Sequence, residues 1–360
     1  MIVADLLAEL VAFPTQQSGP DRGAGDERAI CEYLAPMLRA AGADEVVIEL
    51  ATRSDGDPGA YVFARWGTPR RLINVHIDTV PANAGWSRDP WTPYVADGRL
   101  YGLGSADTKG AIAATLVAIE ATKPRDFGVL FSGDEERGSS VIRAFLDSPH
   151  AVAVREVIVC EPTARTAGIA HRGVLAQRAR LTGPGGHSSK ADHLPKPIAQ
   201  LARLAVALDE AGVRRLADGP PSMQGTCLNI AALHGGVAFN VIAASGELEW
   251  SLRPYPGFDR AGWDREVGSL AGAIDPQITI ETTIDHVPFA CDALAEHVRR
   301  FVRSVGALDF WTEAALWAAH GKDAIVIGPG DIGQAHGADE FVTLDDLDWA
   351  VGVFRSLVRN

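Results

Sequence analysis

Apolar positions along this chain switch between two periods. Residues 2–13 (IVADLLAELVAF) and 27–41 carry apolar side chains at helical spacing, and the second stretch stops at Gly42. Residues 45–50 and 60–65 read as strands on either side of the turn SDGDPG. The run LINVHI (72–77) is apolar enough for a strand buried on both faces, and a long loop with Trp86 and Trp91 follows it. Next come a helix over 110–122, a strand over 128–132 ending at GDEERG, a helix over 139–147, and a strand over 156–160 ending on Glu161. Strands alternating with helices predict an α/β fold with a doubly wound, mostly parallel sheet.

After Gly173 the pattern changes. Strands over 174–181, 226–233, 247–253 and 277–283 alternate with helices over 197–210 and 259–271. The order β-α-β-β-α-β is the ferredoxin-like split motif. It predicts an inserted α+β domain over 173–284 within a main domain formed by 1–172 and 285–360. The main domain resumes with helices over 293–305 and 314–319, a strand over 324–327, a glycine-rich loop and a last helix over 344–358.

Composition narrows the function. The chain has 360 residues, more than one core usually spans, which supports two domains. A net charge of −13 argues against nucleic acid or an anionic membrane as partner. The four cysteines, Cys31, Cys160, Cys227 and Cys291, have no C-x-x-C spacing and read as free thiols. The start of the chain lacks the basic and continuously apolar pattern of a secretion signal, and no apolar run reaches membrane-spanning length. The expectation is a cytoplasmic protein.

Chemistry gathers where strands end. His76 and Asp78 alternate past Ile77, so they point to one side at the end of a buried strand. Asp107 lies in a Gly/Ser-rich turn before a helix. Glu135, Glu136 and Glu161 also follow strands, and His336 sits in the late loop GQAHGADE. Open α/β sheets bind ligands at their carboxyl ends. Each residue alone has an ordinary explanation: an Asp before a helix is usually a cap, and adjacent glutamates are usually surface. Together they offer two imidazoles and several carboxylates, donors that suit zinc. A pair of zinc ions needs one bridging carboxylate and about two further ligands each, with a spare carboxylate left as base.

The blocks VHIDTVPA, GRLYGLGSADTKG, GDEERGSS, EPT, GGHSS and GPGDIGQAHGADEFV occur in an order that resembles the di-zinc amidohydrolases typified by acetylornithine deacetylase, succinyl-diaminopimelate desuccinylase, carboxypeptidase G and aminoacylase. Within that family the resemblance is strongest to the deacetylase branch of arginine biosynthesis. It implies a zinc-peptidase-like fold with an inserted lid and dimerisation domain, and two Zn2+ ions that Co2+ can replace. Asp107 is implied to bridge the metals, with His76 and Glu161 on one and Glu136 and His336 on the other. Asp78 is implied to orient His76, Glu135 to act as general base, and His187 to stabilise the oxyanion, reaching a neighbouring subunit in dimeric members. Arg253 is implied to hold the substrate carboxylate, Asn240 to belong to the lid, and Glu313 to lie near the substrate side chain. The peptide after Asp107 is implied to be cis. The chain departs from the family pattern at Ala243 and Ala244, where a proline and an acidic residue are usual.

The expected activity is removal of the acetyl group from N-acetylornithine or N-acetylcitrulline. Desuccinylation and dipeptide cleavage are alternatives that use the same mechanism, and a non-catalytic binding homologue is an alternative of another class. The expected partner is a small N-acyl amino acid, with a homodimer as the assembly. GPGDIG fits a dinucleotide fingerprint in form, but too little chain follows it for a βαβ unit.

Overall fold

A computed structural model describes residues 2–18 and 25–359. The chain forms two compact units. One comprises the chain up to Ile169, Cys291–Leu308 and the chain from Thr312 onward; the other comprises Ala170–Ala290 and Asp309–Trp311.

The first unit is built on a mixed sheet. Its strands are β1 (Glu45–Thr52), β2 (Pro58–Trp66), β3 (Arg71–His76), β4 (Phe127–Ser132), β5 (Glu156–Val159), β6 (Thr166–His171), β7 (Ser304–Leu308) and β8 (Asp323–Val326). They lie in the order β1-β2-β4-β3-β5-β8-β6, with β7 also pairing to β6. Neighbours β4, β3, β5 and β8 pair in parallel, whereas the pairs β1–β2, β2–β4 and β8–β6 are antiparallel. This corrects the expectation of a mostly parallel sheet. Apolar runs report burial on both faces but carry no strand direction, and the short turn between β1 and β2 admits only a hairpin.

Helices cover the sheet. Helix α1 (Val3–Val11), α2 (Glu27–Ala40), α3 (Gly110–Thr122) and α4 (Leu344–Arg359) bury apolar stripes in a core that includes Ile73, Val75, Ile112, Val129, Phe131 and Phe354. Helix α3 is apolar around most of its circumference and is buried from Gly110 to Ile119, as such a composition demands. The helix expected over 293–305 is shortened to Ala295–Val298 and a tight turn, Arg299–Phe301, before β7 begins. Val302, Val305 and Gly306 are poor helix formers and explain the change. A three-stranded ribbon, not expected from the sequence, pairs Arg99–Tyr101 with Tyr94–Ala96 and with Phe341–Thr343.

The second unit holds four antiparallel strands in the order Asn229–Gly235, Ser245–Leu252, Val174–Thr182, Thr279–His286. Ser245–Leu252 alternates strictly between buried and less buried positions. Its inward residues Leu248, Trp250 and Leu252 pack with Leu201, Leu204 and Leu208 of helix Pro197–Val213 and with Trp263 and Val267 of helix Arg260–Ile274. The opposite face carries cross-strand ion pairs, Arg178–Glu249 at 2.6 Å and Arg180–Glu247 at 2.7 Å. Among the described residues no helix is long and apolar enough to cross a membrane.

One buried ion pair in the first unit holds the turn after β4. Glu27 Oε1 accepts from Arg53 Nη1 at 3.3 Å and from the Asp134 N–H at 3.2 Å, while Oε2 accepts from the Ala60 N–H at 3.0 Å. Both side chains are fully buried. A Cβ on Gly133 would stand 1.8 Å from Glu27 Oε2, so only glycine fits there. Removing Glu27 leaves Arg53 only Asp55 at 3.2 Å and Asp57 at 3.9 Å and strips two buried backbone N–H groups of their acceptor. Glu27→Ala is expected to cost about 3–5 kcal/mol, and the double variant Glu27→Met/Arg53→Met clearly less. Urea unfolding of both variants checks this, and equal losses would contradict it.

Candidate metal centre

The four mutually parallel strands all run toward one edge, and each delivers candidate donors there. His76 is the last residue of β3 and Asp78 follows two residues on. Glu135 and Glu136 sit in the turn after β4, Glu161 follows β5, and His336 lies in the loop after β8. Asp107 arrives from the distorted turn Ser105–Lys109 that opens α3, and the Asp107–Thr108 peptide is cis.

His76 is held in one tautomer. Its Nδ1 lies 3.0 Å from the Asp78 carbonyl oxygen, which can only accept, so Nδ1 carries the proton. The Nε2 lone pair then faces Asp107 Oδ1 at 3.0 Å and Glu161 Oε2 at 3.8 Å. On the other side of Asp107, Oδ2 lies 3.3 Å from His336 Nε2, and that nitrogen is 3.0 Å from Glu136 Oε2. The two oxygens of Asp107 therefore address two different imidazoles. Donor atoms of His76, Asp107 and Glu136 lie within 4.8 Å of one another.

Asp78 organises the approach. Its carboxylate accepts from the Glu135 N–H and the Glu136 N–H, each at 3.1 Å, and from Gln17 Nε2 at 2.5 Å. The two glutamates are thus pinned by their backbone, which leaves their carboxyl groups to be placed by the turn. Asn83 Nδ2 donates to the His336 carbonyl at 2.5 Å and fixes the opposite arm.

Electrostatics states the same demand. Burial pushes Glu135 and Glu161 well above the ordinary carboxylate range, and the neighbouring carboxylates add to it. Burial also raises Glu136, with Asp107 beside it. Burial opposes charge on His76, yet its bonds to Asp107 and Asp78 hold the ring well above its usual value. Burial works on Asp107 in the opposite sense to its two imidazole partners, and the imidazoles prevail and lower it. Lone pairs facing each other at about 3 Å need a proton or a cation between them, and a buried cluster of carboxylates is costly without one. The mixed imidazole and carboxylate set fits a divalent metal.

The remaining candidates lie outside the donor set, though Glu313 is near enough to feel the charge of His76. Glu313 is in the first unit but is 1% exposed, and Ser132 Oγ donates to its Oε2 at 3.3 Å. Burial raises it to about 8. His187, Asn240 and Arg253 belong to the second unit. There Gly186–His187 pairs with Val241–Ile242, and the Ser188 N–H donates to the Asn240 carbonyl at 3.0 Å. The Ser189 N–H donates to His187 Nδ1 at 3.2 Å, so His187 Nε2 carries the ring proton. Arg253 is exposed. Sequence reasoning missed Glu27, Gln17, Lys109 and Glu340, buried polar residues that pack around the donors. Nothing in their local pattern marks them as buried.

Fold and site together define a class: an α/β protein with an imidazole–carboxylate cluster, able to hold a metal, at the carboxyl ends of its parallel strands. Residues 72–360 match the family described as Peptidase family M20/M25/M40, and the chain belongs to it and is a hydrolase. It is 39% identical over 357 residues to the N-acetyl-L-citrulline deacetylase of Xanthomonas campestris pv. campestris, covering 95% of this chain and 93% of that protein. It is 31% identical to a succinyl-diaminopimelate desuccinylase of Stenotrophomonas maltophilia, covering 99% and 98%. Its fold is similar to that of the M20 family metallo-carboxypeptidase Sso-CP2 from Sulfolobus solfataricus, with a TM-score of 0.78 at 16% identity, covering 99% and 98%.

Metal binding should be coupled to proton release. Bonds to Asp107 and Glu136 raise His336 to about 10 from 6.5. In the metal-free protein this favours the fold fully below pH 6.5, and the contribution is lost as pH rises through about 10. A metal must displace that proton, so affinity should climb with pH, by up to about tenfold per unit per proton, and level off near pH 10. Calorimetry of zinc binding at pH 7 in buffers of different ionisation enthalpy should register at least one released proton. Heats that do not vary with the buffer would contradict this.

Proposed function

We propose that this chain is a di-zinc deacetylase that hydrolyses N-acetyl-L-citrulline to acetate and L-citrulline, within arginine biosynthesis. The observation that carries the reading is Asp107, whose two oxygens face His76 and His336 separately, as a carboxylate bridging two metals requires. In this reading His76, Glu161 and Asp107 would hold one Zn2+, and Glu136, His336 and Asp107 the other, with Co2+ able to replace either. The relative of 39% identity supports the citrulline substrate.

Bound there, zinc supplies Lewis acidity to the acyl carbonyl and to the attacking water. Glu135 takes the proton from that water as its oxygen attacks the acyl carbon. It then passes the proton to the amine nitrogen as the C–N bond breaks. A carboxyl whose pKa burial raises is suited to both halves of this shuttle. Asp78 keeps Nδ1 of His76 protonated and so keeps Nε2 a ligand. His187 presents Nε2–H as a donor to the developing oxyanion, a role supported by the Ser189 bond at its other nitrogen. Arg253 clamps the substrate α-carboxylate with two parallel N–H bonds, and Asn240 lies in the turn just before Val241–Ile242, its carbonyl accepting from the Ser188 N–H.

The second unit reads as a ferredoxin-like lid and dimerisation domain over 173–284, supported by its antiparallel strand order and two helices on one face. The catalytic domain then comprises 1–172 and 285–360, and the assembly is a homodimer. The four free cysteines support a reducing, cytoplasmic setting.

Zinc-loaded protein should release acetate from N-acetyl-L-citrulline faster than from N-acetyl-L-ornithine, and should leave N-succinyl-diaminopimelate intact. Glu135→Gln should keep its zinc and lose about 10²–10⁴-fold in kcat. Near-native turnover by that variant would sink the mechanism, and preference for the succinyl compound would reassign the substrate.

A further inference from the structure

Glu340 is 2% exposed and turns its carboxylate onto the loop that ends in Asp107. Its Oε1 accepts from the Ala106 N–H at 2.8 Å and the Asp107 N–H at 3.0 Å, and its Oε2 accepts from the Gly104 N–H at 2.8 Å. Its own carbonyl accepts from the Gly102 N–H at 3.0 Å. One residue thus takes four backbone N–H groups from the span 102–107. Gly104 has φ +79, and a Cβ there would meet Thr79 Cγ2 at 2.7 Å and Lys109 Cδ at 3.2 Å. Behind this loop Lys109, 1% exposed, donates from Nζ to the Phe13 carbonyl at 2.7 Å. The segment before Asp107 is therefore gripped from both sides.

The grip matters because of what Asp107 faces. Its oxygens stand 3.0 Å from His76 Nε2 and 3.3 Å from His336 Nε2. A small rotation of the backbone at 106–107 would swing one oxygen away from its imidazole. Glu340 also lies four residues after His336, on the loop that leads into Phe341–Thr343 and its pairing with Arg99–Tyr101. It joins the arm that carries His336 to the arm that carries Asp107.

We propose that Glu340 is a positioning residue for the metal centre: by fixing the Asp107 backbone it sets the affinity of the site for metal, without touching metal or substrate. This rests on the reading of Asp107 as the metal bridge. The side-chain chemistry ranks the variants. Glu340→Gln keeps an amide oxygen for two of the three N–H donors but turns an NH2 toward the third, whereas Glu340→Ala leaves all three without an acceptor.

The test is zinc competition against a chelator of known affinity, using the full-length protein and both variants. Circular dichroism and thermal unfolding of the metal-free forms run beside it. The inference expects zinc to bind about 10-fold more weakly in Glu340→Gln and about 100-fold more weakly in Glu340→Ala, the range for residues that orient metal ligands. At saturating zinc, KM should stay within about twofold while kcat falls, and the visible spectrum of the cobalt-loaded protein should shift. If the alanine variant fails to fold, the glutamine variant decides. Wild type holding zinc, with variants that melt earlier but bind it with unchanged affinity, would overturn this inference alone and leave Glu340 a purely structural residue. Wild type that takes up no zinc would overturn the bridging role of Asp107, and this inference with it.

Discussion

The buried carboxylate of Asp78 is the point on which the site depends. It accepts from both backbone N–H groups of Glu135 and Glu136 and from the Gln17 amide, while the Asp78 carbonyl fixes the ring of His76. Three segments distant in sequence meet at one residue: the strand end at His76, the turn after Phe127–Ser132 and the segment around Gln17. Three N–H donors satisfy the hydrogen-bonding capacity of a carboxylate that water cannot reach. Without it, the turn that carries Glu135 and Glu136 and the imidazole of His76 would have no common reference.

That arrangement forces charge together. Glu135, Glu136 and Glu161 all lie where burial raises their pKa, and Asp107 lies between two imidazoles. Buried carboxylates at such close quarters are costly without compensating positive charge, which bound cations would supply. The sheet topology explains why the groups converge at all. The four strands that pair in parallel point their carboxyl ends the same way, and the segments that follow them supply every candidate donor except Asp107, which comes from the turn that opens α3. The antiparallel strands β1 and β2 widen the sheet and, through Gly59, Ala60 and the Glu27–Arg53 pair, brace the turn that carries Glu135.

Much of this was legible in the sequence, for identifiable reasons. His76 and Asp78 alternate past one apolar residue at the end of an apolar run, and that spacing alone sets both on one side of a strand end. Glu135 and Glu161 are marked by following apolar strands directly. Strand direction was not legible, because the apolar runs of β2 and β4 look alike whether the strands pair parallel or antiparallel. Nor were the buried partners Gln17, Glu27, Lys109 and Glu340. Each is buried by segments distant in sequence, 61 residues away where Gln17 meets Asp78 and 236 where Glu340 meets Gly104. The stretch over 293–305 misled because the alanine-rich start reads as helix while Val302, Val305 and Gly306 favour an extended chain.

The central claim is that this constellation is a two-metal site, and metal content tests it most directly. Purified protein should be loaded with zinc, dialysed exhaustively against metal-free buffer and analysed for zinc per chain. The account predicts two equivalents retained by the wild type. Retention of none would contradict it, since the crowded carboxylates would then be stable with protons alone.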